Sequence, residues 1–191
     1  NGTVTGVSVG GLPDGIVDND MIANTTIAEG KLAANVNTIT HVDQWRLTSN
    51  FTGDANPLSS NLERIDTAAG VIGSPMTQSS GVFSFPVTGI WRVEFNCTFI
   101  LNDSPGRFCE SYIYYTTNDS SYTEAGRSAV SLWDSDGNTY GTTYIQYNFD
   151  ITNVSTHKVK FTTNVIDNAT ESMGDTNRNF TYFTFTRLGD T

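Results

Sequence analysis

Residues 81–102, GVFSFPVTGIWRVEFNCTFILN, decide the fold of this chain. A short apolar segment at residues 82–85 is followed by Pro86 and Gly89, which are residue types that end strands and form turns. After that turn the odd positions are consistently apolar, whereas the even positions are mostly polar. The odd series consists of Trp91, Val93, Phe95, Cys97, Phe99 and Leu101. Successive side chains of a strand point to opposite faces, so this pattern predicts a long strand with one face in a core.

The composition of the 191-residue chain favours a β-rich protein with many turns. Hydrophobic residues make up 37% and aromatic residues 12%. The net charge is −10, so we expect no nucleic-acid partner, because phosphate binding requires clustered Lys and Arg. No apolar run approaches the roughly 20 residues that a membrane helix needs, and no membrane insertion is expected. The chain starts at Asn1, which we interpret as a processed chain or a fragment.

Other segments with alternating or aromatic-rich sequence predict eight or nine strands and no long helix. They comprise residues 42–47, 58–67, 82–85, 91–102, 108–116, 122–132, 142–151, 157–165 and 179–188. We interpret residues 102–107 and 134–138 as hairpin turns between neighbouring strands, residues 68–80 as a loop rich in Gly, Pro and Ser, and residues 166–178 as a polar loop. Regularly spaced strands of this kind are typical of an all-β sandwich or barrel.

The two cysteines, Cys97 and Cys109, lie on either side of the first predicted hairpin turn. Cys97 has the inward parity of its strand, and Cys109 could face it across the hairpin. A disulfide and a pair of buried thiols are both compatible with this spacing. Two cysteines without a nearby histidine make a metal site improbable, and we predict no cofactor.

A ten-residue repeat precedes the predicted strands. Residues 17–23, VDNDMIA, align with residues 27–33, IAEGKLA. Such a short repeat cannot bury its apolar residues within one chain, but it can bury them against copies of itself. It resembles the stalk repeats of phage and bacterial fibre proteins, which are trimeric; the alternative is an ordinary linker. The resemblance implies trimer contacts at Val17, Ile22, Ile27 and Leu32, an extended stalk at residues 1–40 and a globular head at residues 41–191.

The head resembles the C1q/TNF-like jelly rolls. Their pattern G-x-F-x-V/F-P-x-x-G-x-Y/W-x-F is matched by Gly81, Phe83, Phe85, Pro86, Gly89, Trp91 and Phe95. The aromatic segment at residues 180–188 resembles the last strand of that family, and the tail FTFTRLGDT resembles structural proteins of marine phages. The family's L-x-x-G-D stretch is absent, and residues 150–154, DITNV, stand in its place. The resemblance implies a compact trimer in which each subunit buries an aromatic-rich sheet face.

In the later strands, tyrosines occupy both odd and even positions, so they lie on both faces of the strand. A strand that is apolar on both faces needs a second protein surface to cover the face that is turned away from the core, which supports an oligomer. The predicted trimer contacts in the head are Tyr112, Tyr114, Tyr147 and Tyr182. The alternative is that tyrosine hydroxyls line a hydrated outer face. We expect the polar even face of residues 91–102 to meet solvent or a hydrated subunit contact.

No arrangement of residues indicates catalysis. His41 and His157 have no evident partners in the sequence. Glu94 and Glu110, expected on neighbouring strands of one hairpin, are candidates for a glycosidase pair, but a cross-strand ion pair is favoured. Residues 134–138, DSDGN, resemble the first half of a calcium loop, yet Ile145 stands where the bidentate glutamate should be. We therefore predict a turn without metal there.

Together these features predict a non-enzymatic, homotrimeric fibre or spike on the surface of a virion. Its stalk would contact other virion proteins, and loops at the tip of its head would contact a host cell-surface glycan or protein. The residues assigned to that tip site are Trp133, Asp134, Asp136, Asn138 and Tyr140. One alternative is a secreted C1q-like module, in which the many Asn-x-Ser/Thr triplets would carry glycans. A glycan-cleaving fibre enzyme is the other.

Overall fold

The structure is a computed structural model that describes residues 39–66, 70–102, 104–133 and 136–191. These residues form twelve strands and no helix. The strands are β1 (Val42–Leu47), β2 (Phe51–Thr52), β3 (Leu62–Arg64), β4 (Thr77–Ser79), β5 (Val82–Ser84), β6 (Gly89–Asn102), β7 (Gly106–Thr116), β8 (Thr123–Leu132), β9 (Asn138–Ile151), β10 (Lys158–Val165), β11 (Glu171–Ser172) and β12 (Tyr182–Gly189). In the part of the chain that is described, no helix is long and apolar enough to cross a membrane.

Two antiparallel sheets pack face to face. Sheet A has the order β2-β11-β6-β12-β1-β3, and β9 pairs with the other side of β6. Sheet B has the order β4-β5-β10-β7-β8. Strands that follow one another along the chain therefore often lie in different sheets, as in a jelly roll. The arrangement confirms the predicted all-β sandwich.

The core lies between the sheets and is built around phenylalanine rings. The six odd-numbered side chains of β6 that the sequence predicted to be buried are at most 2% exposed. Phe95 and Phe183 of sheet A contact Phe161 of sheet B, with ring centroids 5.1 and 4.3 Å from it. Phe83 of sheet B packs against Phe161 and Phe183 at 5.5 and 5.7 Å. Each buried ring contributes about 1.5–3 kcal/mol of transfer free energy, so this cluster carries much of the sandwich's stability.

Both predicted hairpins are wrong. β6 belongs to sheet A and β7 to sheet B, so residues 102–107 carry the chain from one sheet to the other. The same holds for residues 134–138, which lie between β8 in sheet B and β9 in sheet A. Turn-forming residues predict a reversal of the chain, but they do not determine whether the returning strand pairs with its predecessor. In this protein β6 pairs with β9 and β12 instead.

Short strands also occupy two segments that the sequence predicted as loops. β4 lies within residues 68–80, and β11 lies within residues 166–178. Three- and two-residue strands are too short to show a period, so only their pairing with β5 and with β2 and β6 reveals them.

A buried carboxylate, that of Asp43, holds β1 against β3 and against the residue before β4. Asp43 of β1 is 2% exposed and accepts hydrogen bonds from the indole Nε1 of Trp45 (3.1 Å) and the backbone N–H of Met76 (2.9 Å). Its second oxygen accepts a bond from Arg64 Nε at 3.0 Å, and the Arg64 guanidinium lies 4.7 Å from the centroid of the Trp45 ring. The carboxylate accepts hydrogen bonds from four donors, and one of these donors, Arg64, carries the opposite charge. These contacts offset the free-energy cost of burying the carboxylate.

The described head forms one compact unit, Ile39–Thr191. The ten-residue repeat and its contact residues Val17, Ile22, Ile27 and Leu32 lie outside the described residues. The stalk and the boundary between residues 40 and 41 therefore stay predictions.

Replacing Phe183 with alanine tests the role of the ring cluster. Its ring contacts rings of both sheets, so the Phe183→Ala variant leaves a cavity that neither sheet can fill. We expect the free energy of unfolding to fall by about 3–5 kcal/mol, measured by urea denaturation. The matched control is Tyr140→Ala on an exposed position, for which we expect a loss below about 1 kcal/mol. Equal losses for the two variants would contradict a stability that depends on this cluster.

Candidate functional site

The edge strand β9 is the most unusual surface feature of the head. It pairs with β6 over all fourteen of its residues, and no strand of the described part pairs with its other side. Residues 138–149, NTYGTTYIQYNF, include no charged side chain and no proline. Exposed edges in soluble proteins are usually short, charged or interrupted by proline, because free N–H and C=O groups pair readily with other chains. This long, uncharged edge is suited to being covered by another protein surface.

Tyrosines surround this edge on the outer face of sheet A. Tyr140 and Tyr144 of β9 are 56% and 49% exposed, and the strand register places Tyr144 and Tyr182 on either side of Asn96. The Tyr144 hydroxyl donates a hydrogen bond to Glu94 at 2.5 Å. This bond, together with burial, raises the pKa of Tyr144 to about 12. The face is therefore neither a second core nor a purely charged surface.

The same face carries an arginine whose Nε is buried without a hydrogen-bond partner. Arg92 of β6 lies between Asn148 of β9 and Thr186 of β12, and no carboxylate of the described residues is within ion-pair distance of it. A buried donor without an acceptor costs about 1–3 kcal/mol.

The four predicted head contacts do not lie on one surface. Tyr182 is on the outer face of sheet A, whereas Tyr112 and Tyr114 are on the outer face of sheet B. Tyr147 belongs to the series of β9 side chains that point inward, but it is 41% exposed. Its ring lies tilted against that of Phe149, with the ring centroids 4.8 Å apart. The alternation of aromatic residues was visible in the sequence. The sheet to which each strand belongs was not.

The predicted tip residues gather at the end of the sandwich opposite to the start of β1. Asn138 pairs with Asn102, while the start of β1 lies at the Gly89 end of β6 through its pairing with β12. Trp133 is 80% exposed, and its carbonyl accepts a hydrogen bond from Thr139 Oγ1 at 2.8 Å. Asn138 donates to the Tyr140 hydroxyl at 3.5 Å, Asp136 is exposed, and Asp134 lies outside the described residues.

The sequence did not identify the neighbours of Trp133. Its side chain borders a pocket with Leu132, Ser131, Pro105 and Arg107, so residues at the start of β7 contribute two of the five lining residues. The proline and arginine are far from Trp133 along the chain, and the pairing of β7 with β8, which places Gly106 beside Leu132, brings them together. No ion-pair partner of Arg107 occurs in the described part of the chain.

The candidate catalytic groups are dispersed. Glu94 lies on the outer face of sheet A and Glu110 on that of sheet B, so the predicted hairpin neighbours are wrong. The two carboxylates point away from each other across a sandwich about 10 Å thick, which rules out the spacing of a glycosidase pair. His41 packs against Trp91 at 5.6 Å, and its pKa is lowered by burial and by the charge of Arg187. His157 bonds to hydroxyls of nearby turn residues, Thr152 and Thr156.

The residues described here contain no group of three or more His, Cys, Asp or Glu side chains that could hold a metal ion. Ile145, which stands at the twelfth position of the candidate calcium loop, is buried in β9 with 7% exposure. That position therefore contributes to the core of the sandwich.

Cys97 and Cys109 are free thiols, and the disulfide alternative is wrong. Both are buried, one in each sheet, so they approach across the core rather than across a hairpin. The Cys97 thiol donates to Ser172 Oγ at 3.5 Å and accepts from Thr181 at 3.8 Å. Burial raises the pKa of Cys97 to about 12 and that of Cys109 to about 11.

The two antiparallel sheets and their strand order define a jelly-roll sandwich of the TNF type. Eiger TNF from S. frugiperda superimposes with a TM-score of 0.60 and 10% sequence identity, covering 81% of this chain and 96% of that chain. Murine APRIL at pH 8.5 gives a TM-score of 0.55 and 9% identity, covering 78% of this chain and 98% of that chain. These similarities confirm the C1q/TNF-like fold predicted from residues 81–95. No protein-family model and no curated protein matches the chain.

The buried thiols predict a loss of stability at alkaline pH. An unfolded thiol ionises near its ordinary pKa of 9.0, whereas the folded thiols stay protonated to higher pH. Above pH 9 the unfolded state binds fewer protons, so the free energy of unfolding falls as pH rises. Between pH 8 and pH 10 we expect a loss of about 1 kcal/mol for each thiol, measured by urea denaturation.

The Cys97→Ala variant provides the control, because it removes one titrating group but keeps the other. Its stability should fall by about half as much over the same interval of pH. An unchanged slope in this variant would show that the thiol does not cause the pH dependence.

Proposed function

We propose that the head is a non-enzymatic binding module that assembles as a homotrimer through β9 and the outer face of sheet A. The observation that carries this proposal is the uncharged stretch of twelve residues, 138–149, along the edge of β9 beside the exposed Tyr144. An edge of this length requires covering in a soluble protein, and a second copy of the chain supplies a complementary tyrosine-rich face.

The assembly would be cyclic. The β9 edge of one subunit would lie against the outer face of sheet A of the next, and three such head-to-tail contacts would close a ring. The TNF-like fold supports this arrangement, because the resemblance implies trimers that bury one sheet face.

A role without catalysis is supported by the placement of the candidate groups. Glu94, Glu110 and the two histidines are held by separate hydrogen-bond partners on separate surfaces. Binding is the function that exposed aromatic loops and faces on a rigid sandwich serve best.

In its finer form, the proposal is that the chain forms a fibre or spike on the surface of a virion. The ten-residue repeat at residues 17–33 and the tail FTFTRLGDT support this form. A stalk that joins three heads to other virion proteins would raise the effective concentration of weak binding sites for a host cell-surface glycan or protein. Mass spectrometry of purified particles tests this role: the chain should be present, and its absence would contradict it.

A secreted C1q-like module is the second candidate. The observation that favours it is that Asn118 and Asn153, each in an Asn-x-Ser/Thr triplet, are exposed in turns where a glycan would fit. Intact-mass measurement on the natural protein separates the two candidates, because N-linked glycans would support the secreted module.

Charge placed beside the β9 edge should disrupt the trimer. In the Tyr144→Arg variant, each subunit would bury a cation together with its neighbour Glu94 in the proposed contact, and the desolvation of both charges costs more than their ion pair returns, whereas Tyr114→Arg places the same change on the opposite face of the sandwich. By light scattering of the full chain, we expect trimers for the wild type and Tyr114→Arg, and dissociation by at least about tenfold in affinity for Tyr144→Arg. A monomeric wild type would contradict the trimer. Equal effects of the two variants would place the contact elsewhere.

The tip site has its own test. Trp133→Ala and Tyr140→Ala remove two exposed aromatic side chains from the tip without touching the core. If the tip binds the host, each variant should weaken attachment to host cells or to an array of their surface glycans by about tenfold or more. Unchanged attachment by both variants would remove the tip from the proposal while leaving the trimer intact.

A further inference from the structure

The outer face of sheet B carries a groove with walls from two separate elements. One wall is the segment 54–56, and the other consists of Tyr112 and Tyr114 of β7, with Thr162 and Asn164 of β10 in the floor. The groove has a volume of about 250 Å³. Sites for drug-sized ligands usually measure about 300–1,000 Å³, so this one has room for a single sugar-sized ring.

The wall at residues 54–56 is firmly held. Ala55 exchanges two backbone hydrogen bonds with Thr163, at 3.1 and 3.0 Å. Asp54 Oδ1 accepts the backbone N–H of Val165 at 2.7 Å. These bonds extend sheet B beyond the end of β5 and keep the groove open without a ligand. A preformed groove spares a ligand the free-energy cost of ordering a loop.

Next to one end of the groove, in contact with the lining residues Asn56 and Tyr114, lies a lysine with no acidic partner in the described residues. Lys160 Nζ is 2.9 Å from Asn56 Oδ1, 4.5 Å from the ring centroid of Tyr122 and 5.7 Å from that of Tyr114. The adjacent lysine on the same face, Lys158, forms an ion pair with Asp119 at 2.6 Å. An ammonium group has three donor hydrogens, and the Asn56 amide oxygen uses one of them. The chain has a net charge of −10, yet this ammonium group contacts only an amide oxygen and two tyrosine rings among the described residues.

The opposite end of the groove is acidic, because Asp54 is part of its lining and Glu110 lies next to the lining residues Tyr112 and Asn164. The pairing of β10 with β7 places Lys160 beside Tyr114, Thr162 beside Tyr112, and Asn164 beside Glu110. Glu110 accepts hydrogen bonds from the Tyr112 hydroxyl at 2.5 Å and from Asn164 Nδ2 at 3.3 Å. The cationic and acidic ends lie four residues apart along β10, a distance of about 13 Å. This polarity disfavours a polyanion, because any second negative group would approach Glu110.

We propose that this groove binds a sugar that bears one carboxylate, such as a uronic acid. Its carboxylate would accept a charge-assisted hydrogen bond from Lys160, and its ring would lie along Tyr112 and Tyr114. Its hydroxyls would bond to Thr162 and Asn164 in the floor. The groove is separate from the tip around Trp133 and from the face assigned to the trimer, so the inference goes beyond the proposed function and stands without it.

Nuclear magnetic resonance titration of the full chain tests the inference with two sugars that differ only in the acid group. The probes are methyl β-glucuronide and methyl β-glucoside. We expect the glucuronide to bind at least about tenfold more tightly than the glucoside, with shifts at Tyr112 and Thr162. The Lys160→Met variant should lose this preference, and Lys160→Arg should retain it. Lys158→Met is the matched control on the same face and should bind like the wild type.

Four outcomes would overturn the inference. They are equal affinity of the wild type for the two sugars, no binding of either sugar, an equal loss in Lys158→Met, and a preference that disappears in Trp133→Ala but persists in Lys160→Met. Thermal unfolding of each variant shows whether it is folded. If Lys160→Met does not fold, methylation of the lysines with retention of charge and acetylation with its loss provide the same comparison on the wild-type chain. None of these outcomes depends on whether the chain is trimeric.

Discussion

The contact between Phe161 of sheet B and Phe183 of sheet A, with ring centroids 4.3 Å apart, is the constraint on which the rest of the structure depends. It joins the two sheets at the centre of the core, where Phe83 and Phe95 also pack against Phe161. Once this contact is made, it is fixed which alternate side chains of β10 and β12 point into the core. Because β7 pairs with β10 and β6 pairs with β12, the inward side chains of β6 and β7 are fixed as well. Every side chain with the other parity must then face outward.

The two outer faces that result have different chemistry. The face of sheet A combines an edge strand that is uncharged over residues 138–149 with exposed tyrosines, Arg92 and Glu94. The face of sheet B combines tyrosines with a preformed groove and a neighbouring lysine without an acidic partner in the described residues. A long uncharged edge suits a permanent contact with another chain, whereas a polar groove suits a small, hydrated ligand. One sandwich can therefore assemble through one sheet and bind a ligand through the other.

The path of the chain between the sheets explains why the predicted sites were only partly recovered. Trp133, Asn138 and Tyr140 do lie at one end of the sandwich, as the turn chemistry of residues 134–138 suggested. Their neighbours Pro105 and Arg107 are brought to Trp133 by the pairing of β7 with β8, whose register the alternation of side chains does not specify. The crossing of residues 102–107 from sheet A to sheet B separates Glu94 from Glu110 and places Cys97 and Cys109 in opposite sheets. Tyr112 and Tyr182, which were both predicted as trimer contacts, lie on opposite faces of the molecule.

The sequence by itself determined the class of fold, residues 91–102 of β6, and which side chains of that strand enter the core. These properties follow from the two-residue period of a strand, which is local and can be read from neighbouring residues. The motif from Gly81 to Phe95 was enough to indicate the C1q/TNF-like arrangement. Only the tertiary structure decided which sheet each strand joins, and thus which tyrosines share a face and where Lys160 meets Asn56. The physical reason is that strand pairing links residues far apart in sequence, and a pattern of period two is satisfied equally well in either sheet.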